Sequence, residues 1–201
     1  MILTIFIFIV FLFSVILHEI AHASCAFSLG DPTAKLEGRI TLNPLAHLDP
    51  FGSVLLPLLL FVLTRGQGPI IGYAKPVPIN PLYFKDYKKD TIKVSLAGPL
   101  VNFLLGVTFA LIFRFFGQFS KLSQFFFLIS FYNFALSFFN LLPFPPLDGS
   151  HIFLNLLPER FKALKLFFLQ YGLFLLIIFI SFFSFVVFDL AQIAFQFFAT
   201  F

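Results

Sequence analysis

His18-Glu19-Ile20-Ala21-His22 sets two imidazoles and a carboxylate within one helical turn. Positions i and i+4 share a helix face, so both rings can reach one metal ion. A glutamate beside the first histidine can take a proton from a water that the metal activates, which is the arrangement of a hydrolytic zinc site. In a soluble helix the H-E-x-x-H pattern arises often by chance. Here it follows MILTIFIFIVFLFSVIL and precedes CAFSL. Ionisable groups at membrane depth are costly and functional by default.

Catalytic zinc takes three protein ligands and keeps a fourth position open. The search for the third falls on Asp148, at the end of N-L-L-P-F-P-P-L-D-G (140–149). Prolines and a glycine break the helix there, and irregular backbone at membrane depth is tolerated where it is buried or lines a watery cavity. Asp-Gly also marks turns, and that rival yields only because His18 and His22 need a partner. Asn140, two helical turns earlier, is a candidate donor to a developing oxyanion or an interhelical hydrogen-bonding residue. Asn102 and the Gly98-Pro99 pair read as packing and kink features. His47 and Asp49, beside Pro50, could support or gate the site, though His47 reads rather as a solvated loop histidine, and His151 is a weaker candidate ligand. The single cysteine, Cys25, excludes an intrachain disulfide and a cysteine-based zinc site.

The elements that must hold these residues are membrane helices. Of the 201 residues, 60% are hydrophobic and 11% charged, well under the roughly 25% charged of a soluble domain. Ala21-His22-Ala23 resembles a signal-peptide cleavage site, but a basic n-region is missing and cleavage would discard His18 and Glu19. Apolar runs fall at 2–29, 51–63, 92–116, 122–142 and 164–201. A span needs about 20 apolar residues, so the first, third and fourth qualify. The last would be on the order of 50 Å as one helix and is expected to bend near Ser181 and Ser184 into helices 164–181 and 184–201. Run 51–63 is short and carries Pro57, the pattern of a re-entrant or interfacial segment. Stretches 36–42 and 70–77 read as short strands, and Asn43-Pro44 and Asn80-Pro81 as turns.

Charge tests this layout. If 51–63 does not cross, eleven of the 13 lysines and arginines fall on one side, at 35–93 and 160–165, with only Arg114 and Lys121 opposite. The positive-inside rule makes the rich side cytoplasmic and places the His22 and Asp148 helix ends there. The cluster Lys85, Lys88, Lys89 and Lys93 reads as the topology signal and a contact with anionic lipid. No basic stripe with interleaved aromatics appears, so nucleic acid is excluded as a partner.

H-E-x-x-H in the first helix, S-L-A-G-P-L-V-N at 95–102 and F-N-L-L-P-F-P-P-L-D-G at 139–149 together resemble the site-2 protease family (peptidase M50) of intramembrane zinc metalloproteases. T-L-N-P-L-A-H-L-D-P-F-G at 41–52 and G-Y-A-K-P-V-P-I-N-P at 72–81 are similar to its compact prokaryotic branch, which lacks a PDZ domain. The resemblance implies one Zn2+ per chain on His18, His22 and Asp148, with Glu19 as general base. It also implies a three-helix core, transmembrane protein substrates, and a strand near 72–77 that holds the unwound substrate. The chain departs at Ser150-His151, where the family usually has Gly-Arg.

The expectation is an all-α polytopic membrane protein forming one domain over 1–201. Core helices lie at about 2–29, 92–116 and 122–142 and further helices at the C-terminus, with a re-entrant segment and short strands between the first two core helices. It is read as an intramembrane endopeptidase in a prokaryotic inner or plasma membrane, with the lipid bilayer and membrane proteins as its partners. Three rivals stand beside this reading. One is a metalloprotease taking Glu159 as third ligand. A zinc transporter is the second, and it would need a ligand pathway that the later apolar runs do not supply. The third is a catalytically inactive zinc-binding scaffold.

Overall fold

The computed structural model describes residues 2–49, 55, 59, 62, 63, 75–117 and 122–200. Its first helix, α1 (Ile2–Ser28), carries the His18–His22 pair in its C-terminal half. It stops at Gly30, whose φ of 105° suits a residue without Cβ. Gly30 N–H donates to Phe27 C=O and Asp31 N–H to Ala26 C=O, the paired bonds of a Schellman end. A single turn, α2 (Thr33–Leu36), follows. Its entry is fixed by Asp31, whose carboxylate accepts from the Thr33 N–H and hydroxyl.

Both Asn-Pro pairs start one-turn 3-10 helices, at Pro44–His47 and Pro81–Tyr83. In each the asparagine side chain accepts from the N–H two residues on, as turn chemistry demands. Stretch 36–42 is not a strand: Leu36 closes α2 and Gly38, at φ 64°, turns the chain. Of stretch 70–77 only 75–77 lies among the described residues, without strand pairing. The expected re-entrant segment 51–63 lies outside them except for Leu55, Leu59, Val62 and Leu63.

The central element is α3 (Tyr87–Phe116), which packs against α1 and against the three α-helices that follow it. It begins five residues before the apolar run because the Asp86 side chain accepts from Lys89 N–H and caps it. Pro99 in its interior supplies no N–H, so Ser95 C=O has no i+4 partner. The next helix, α4 (Ser123–Asn140), joins α3 through hydrogen bonds that water does not compete for. Ser130 Oγ donates to Gly106 C=O at 2.7 Å and Ser137 Oγ to Pro99 C=O at 2.8 Å. Gly106 lets the Phe134 ring lie on the α3 backbone, since a Cβ there would sit 2.7 Å from it.

After a seven-residue link, α5 (Asp148–Leu156) leads to α6 (Lys162–Thr200). The expected break at Ser181–Ser184 is absent, and α6 is one helix of 39 residues, about 58 Å at 1.5 Å per residue. Ser181 turns its hydroxyl back onto Ile177 C=O at 2.8 Å, so it is satisfied within the helix, and no proline or glycine falls between Leu173 and Thr200. Val187, Ala191 and Phe195 of α6 close over Ala110 and Phe134 to form the main apolar cluster. Lys88 of α3 and Lys165 of α6 both pair with Glu159, so these basic helix ends share one end of the molecule.

Candidate metal centre

The register of α1 against α3 builds the site. Ser14, His18 and His22 recur at i+4 along α1, and Val94, Gly98 and Asn102 recur at i+4 along α3, running the opposite way. His18 Nδ1 lies 2.6 Å from Asn102 Oδ1. The Asn102 amide nitrogen donates to Ser14 C=O at 3.3 Å and to Asn133 Oδ1 at 2.9 Å, which leaves its oxygen for the ring. His22 Nδ1 lies 2.7 Å from Val94 C=O. Both partners can only accept, so each Nδ1 carries the hydrogen and each neutral ring offers its Nε2 lone pair on the other side.

Those lone pairs converge. His18 Nε2 and His22 Nε2 lie 3.0 Å apart, and Asp148 Oδ2 lies 3.0 Å from the first and 3.2 Å from the second. Three acceptors facing one point repel one another unless a cation sits among them. Tetrahedral zinc at its usual bond lengths would space such donors by about 3.3 Å. Gly98 supplies a second sign of fit, since a Cβ there would lie 2.4 Å from His22 Nε2 and 2.6 Å from His18 Nε2. The rings approach the α3 backbone only because that side chain is missing. Both histidines are buried.

Asp148 is delivered by the start of α5, so the Asp-Gly pair opens a helix here. Gly149 has no room for a side chain: a Cβ would lie 2.2 Å from Leu141 C=O. This close approach sets α5 against the end of α4 and Asp148 against the histidines. Glu159, the alternative third ligand, is tied to Lys88 and Lys165 and stands apart from the cluster.

Glu19 lies beside this trio on a cavity of about 430 Å³. Its Oε2 accepts from Val77 N–H at 2.9 Å. Asn140 and His151 line the same cavity. One Asn140 amide hydrogen is used by Leu136 C=O at 3.0 Å, and the amide carries two.

Asn102 and Gly98, expected as packing and kink features, are the residues that orient and admit the two rings. Their i, i+4 spacing on the face opposite His18 and His22 was the available signal. His47, expected to be solvated, is 2% exposed, with Nε2 donating to Thr41 C=O at 2.8 Å. Arg39, counted above only as a topology charge, is buried as well.

Three apolar helices long enough to cross a bilayer, Leu3–Ser28, Tyr87–Phe116 and Glu159–Thr200, make the chain an integral membrane protein. The expected span at 122–142, α4, is only 18 residues long, and its Ser and Asn residues serve α3 and the site. Sequence comparison then gives the family. The pattern of Peptidase family M50 matches residues 116–183. "Putative zinc metalloprotease YwhC" of Bacillus subtilis is 42% identical over 156 residues, covering 73% of this chain and 67% of that protein. "Putative zinc metalloprotease Rip2" of Mycolicibacterium smegmatis is 34% identical over 157 residues, covering 76% of this chain and 58% of its own length. "Zinc metalloprotease MJ0392" of Methanocaldococcus jannaschii is 31% identical over 78 residues, covering 39% and 23%. No solved structure matches the chain. The chain belongs to Peptidase family M50 and is a peptidase.

Proposed function

We propose that this chain is a zinc-dependent intramembrane endopeptidase that hydrolyses peptide bonds in or near transmembrane segments of other membrane proteins. Zinc is its cofactor, with His18, His22 and Asp148 as the ligands. The observation that carries the reading is the convergence of those three donors, with both Nδ1 atoms tied off, on a cavity that Glu19 also lines. Bound there, zinc would supply Lewis acidity, lowering the pKa of a water toward about 7 and polarising the scissile carbonyl.

The remaining work falls to this chain's own groups. Glu19 takes the proton from the attacking water as its oxygen bonds to the carbonyl carbon, then gives that proton to the departing amine as the C–N bond breaks. Asn140, with an amide hydrogen beyond the one Leu136 uses, is suited to steady the developing oxyanion. A substrate helix hides its carbonyls in its own hydrogen bonds and must unwind first. Residues 75–77 are poor templates for it, because Lys75 N–H and C=O, Pro76 C=O and Val77 N–H already have partners. The rest of the expected template, 70–74, lies outside the described residues.

The basic ends that meet at Glu159 support the orientation in which the site opens near the cytoplasmic face of a prokaryotic membrane. Co-expression with candidate single-pass membrane proteins tests the function. A cleavage product is expected with the wild type and none with Glu19→Gln. Equal processing by both would overturn the reading.

A further inference from the structure

We infer that Arg39 is a positioning residue for hydrolysis: it holds the backbone at Lys75 and Pro76 so that the Val77 N–H fixes the Glu19 carboxylate. The inference rests on Glu19 being the general base. It begins in the sequence Lys75-Pro76-Val77-Pro78. Proline has no N–H and a fixed φ, so Val77 carries the single donor in a stiff stretch between Lys75 and Ile79. That donor meets Glu19 Oε2 at 2.9 Å.

Both sides of the stretch are anchored. Upstream, the Arg39 guanidinium donates through Nη2 to Lys75 C=O at 2.6 Å and Pro76 C=O at 3.2 Å, and through Nη1 to Ala46 C=O. Lys75 N–H donates in turn to His47 C=O at 2.9 Å. Downstream, Asn80 N–H donates to Asp31 Oδ2 at 2.7 Å. Arg39 is 5% exposed, and its two Nη atoms meet three carbonyls while Nε has no partner among the described residues. Its fork spans two segments, which the single point of a lysine ammonium cannot do. With one oxygen pinned by Val77, the Glu19 carboxylate is restrained in its long side chain's rotations and kept on the cavity wall beside His18. Arg39 acts through that hydrogen bond and belongs to neither the metal cluster nor the cavity lining.

The test uses the full chain in detergent micelles, with a quenched-fluorescent peptide of about 20 apolar residues broken by a central Gly-Pro as the probe. Arg39→Lys should retain wild-type zinc stoichiometry and a KM within about twofold, while kcat falls roughly 10- to 100-fold through misplacement of the base. Val77→Pro removes the donor and leaves Arg39 in place, and it should lose the same factor. The double variant should lose no more than either single one, because both act through one hydrogen bond. Amide exchange at Val77, which needs no substrate, should quicken at least roughly tenfold in Arg39→Lys. Wild-type turnover in Arg39→Lys, losses that multiply in the double variant, or unchanged exchange at Val77 would each overturn the inference. Equal cleavage by wild type and Glu19→Gln would instead overturn the base assignment, and the Val77 exchange would still decide whether Arg39 sets that contact.

Discussion

His18 Nδ1 and Asn102 Oδ1 lie 2.6 Å apart, joining the first residue of the H-E-x-x-H motif to a helix 84 positions later. Asn102 fixes the ring's tautomer as well as its angle, because its amide nitrogen is already committed to Ser14 and Asn133. Partners of this kind raise metal affinity by roughly 10- to 100-fold. Asn102→Leu is therefore expected to weaken zinc binding by that factor in competition with a chromophoric chelator. Asn133→Leu removes a neighbour of Asn102 and leaves the His18 contact, so it should weaken binding less. Equal affinity in wild type and Asn102→Leu would show that the ring needs no orientation.

Gly98 sets how closely α1 and α3 can approach at the candidate metal centre. A methyl group there would lie 2.4 Å from His22 Nε2, inside any tolerable contact. Gly98→Ala is expected to insert and fold with α3 displaced from α1, and to lose zinc, measured as metal per purified chain. Gly38→Ala gives the control: nothing lies within 4 Å of a Cβ there, though its φ of +64° adds local strain, so zinc should stay. Loss of metal in both would assign the effect to general instability.

These two residues also mark what the sequence made legible. His18, Glu19 and His22 could be read because charge inside an apolar run has few structural explanations. The grouping of Asp148 with His18 and His22 could be expected because the pair called for a further partner and a broken helix offered one. Gly98 and Asn102 offer only their i, i+4 spacing, which does not say what they meet. A glycine's role depends on which atoms face the missing Cβ, and an asparagine's on which helix it meets. Arg39 was hidden for a related reason: in a basic loop its charge explains topology, and its burial follows from carbonyls 36 and 37 residues away. The bend expected in the last helix failed because serine was read as a breaker, whereas in an apolar helix its hydroxyl bonds back to the previous turn.

Asp31 gives the fold an acid-sensitive joint. Burial pushes its carboxyl up, but hydrogen bonds from the Thr33 hydroxyl, the Asn80 N–H and the Thr33 N–H outweigh burial and hold it below the usual range. With the folded-state pKa below the unfolded one, the ionised form favours the fold. That stability is complete above the unfolded value of about 3.9 and is lost as pH falls through the folded value. Asp31→Asn is expected to cost about 1.5–3 kcal/mol at pH 7, the range for hydrogen bonds to a charged group. It should also flatten the acid limb of a thermal-melting profile in micelles. An acid limb identical to that of the wild type would place the sensitive group elsewhere.

Metal removal separates the two candidate third ligands. A ligand that binds only the folded chain stabilises it by about 2.7 kcal/mol at a hundredfold excess over Kd. Stripping zinc with a chelator should therefore lower the melting temperature of the wild type, and adding zinc back should restore it. Asp148→Asn replaces the oxygen that lies 3.0 and 3.2 Å from the two Nε2 atoms with a neutral amide, so most of the zinc-dependent shift should vanish. Glu159→Gln breaks ion pairs to Lys88 and Lys165 at an exposed helix end, where such pairs contribute little. Its zinc-dependent shift should match the wild type. The reverse pattern, a full shift in Asp148→Asn and none in Glu159→Gln, would make Glu159 rather than Asp148 the third ligand.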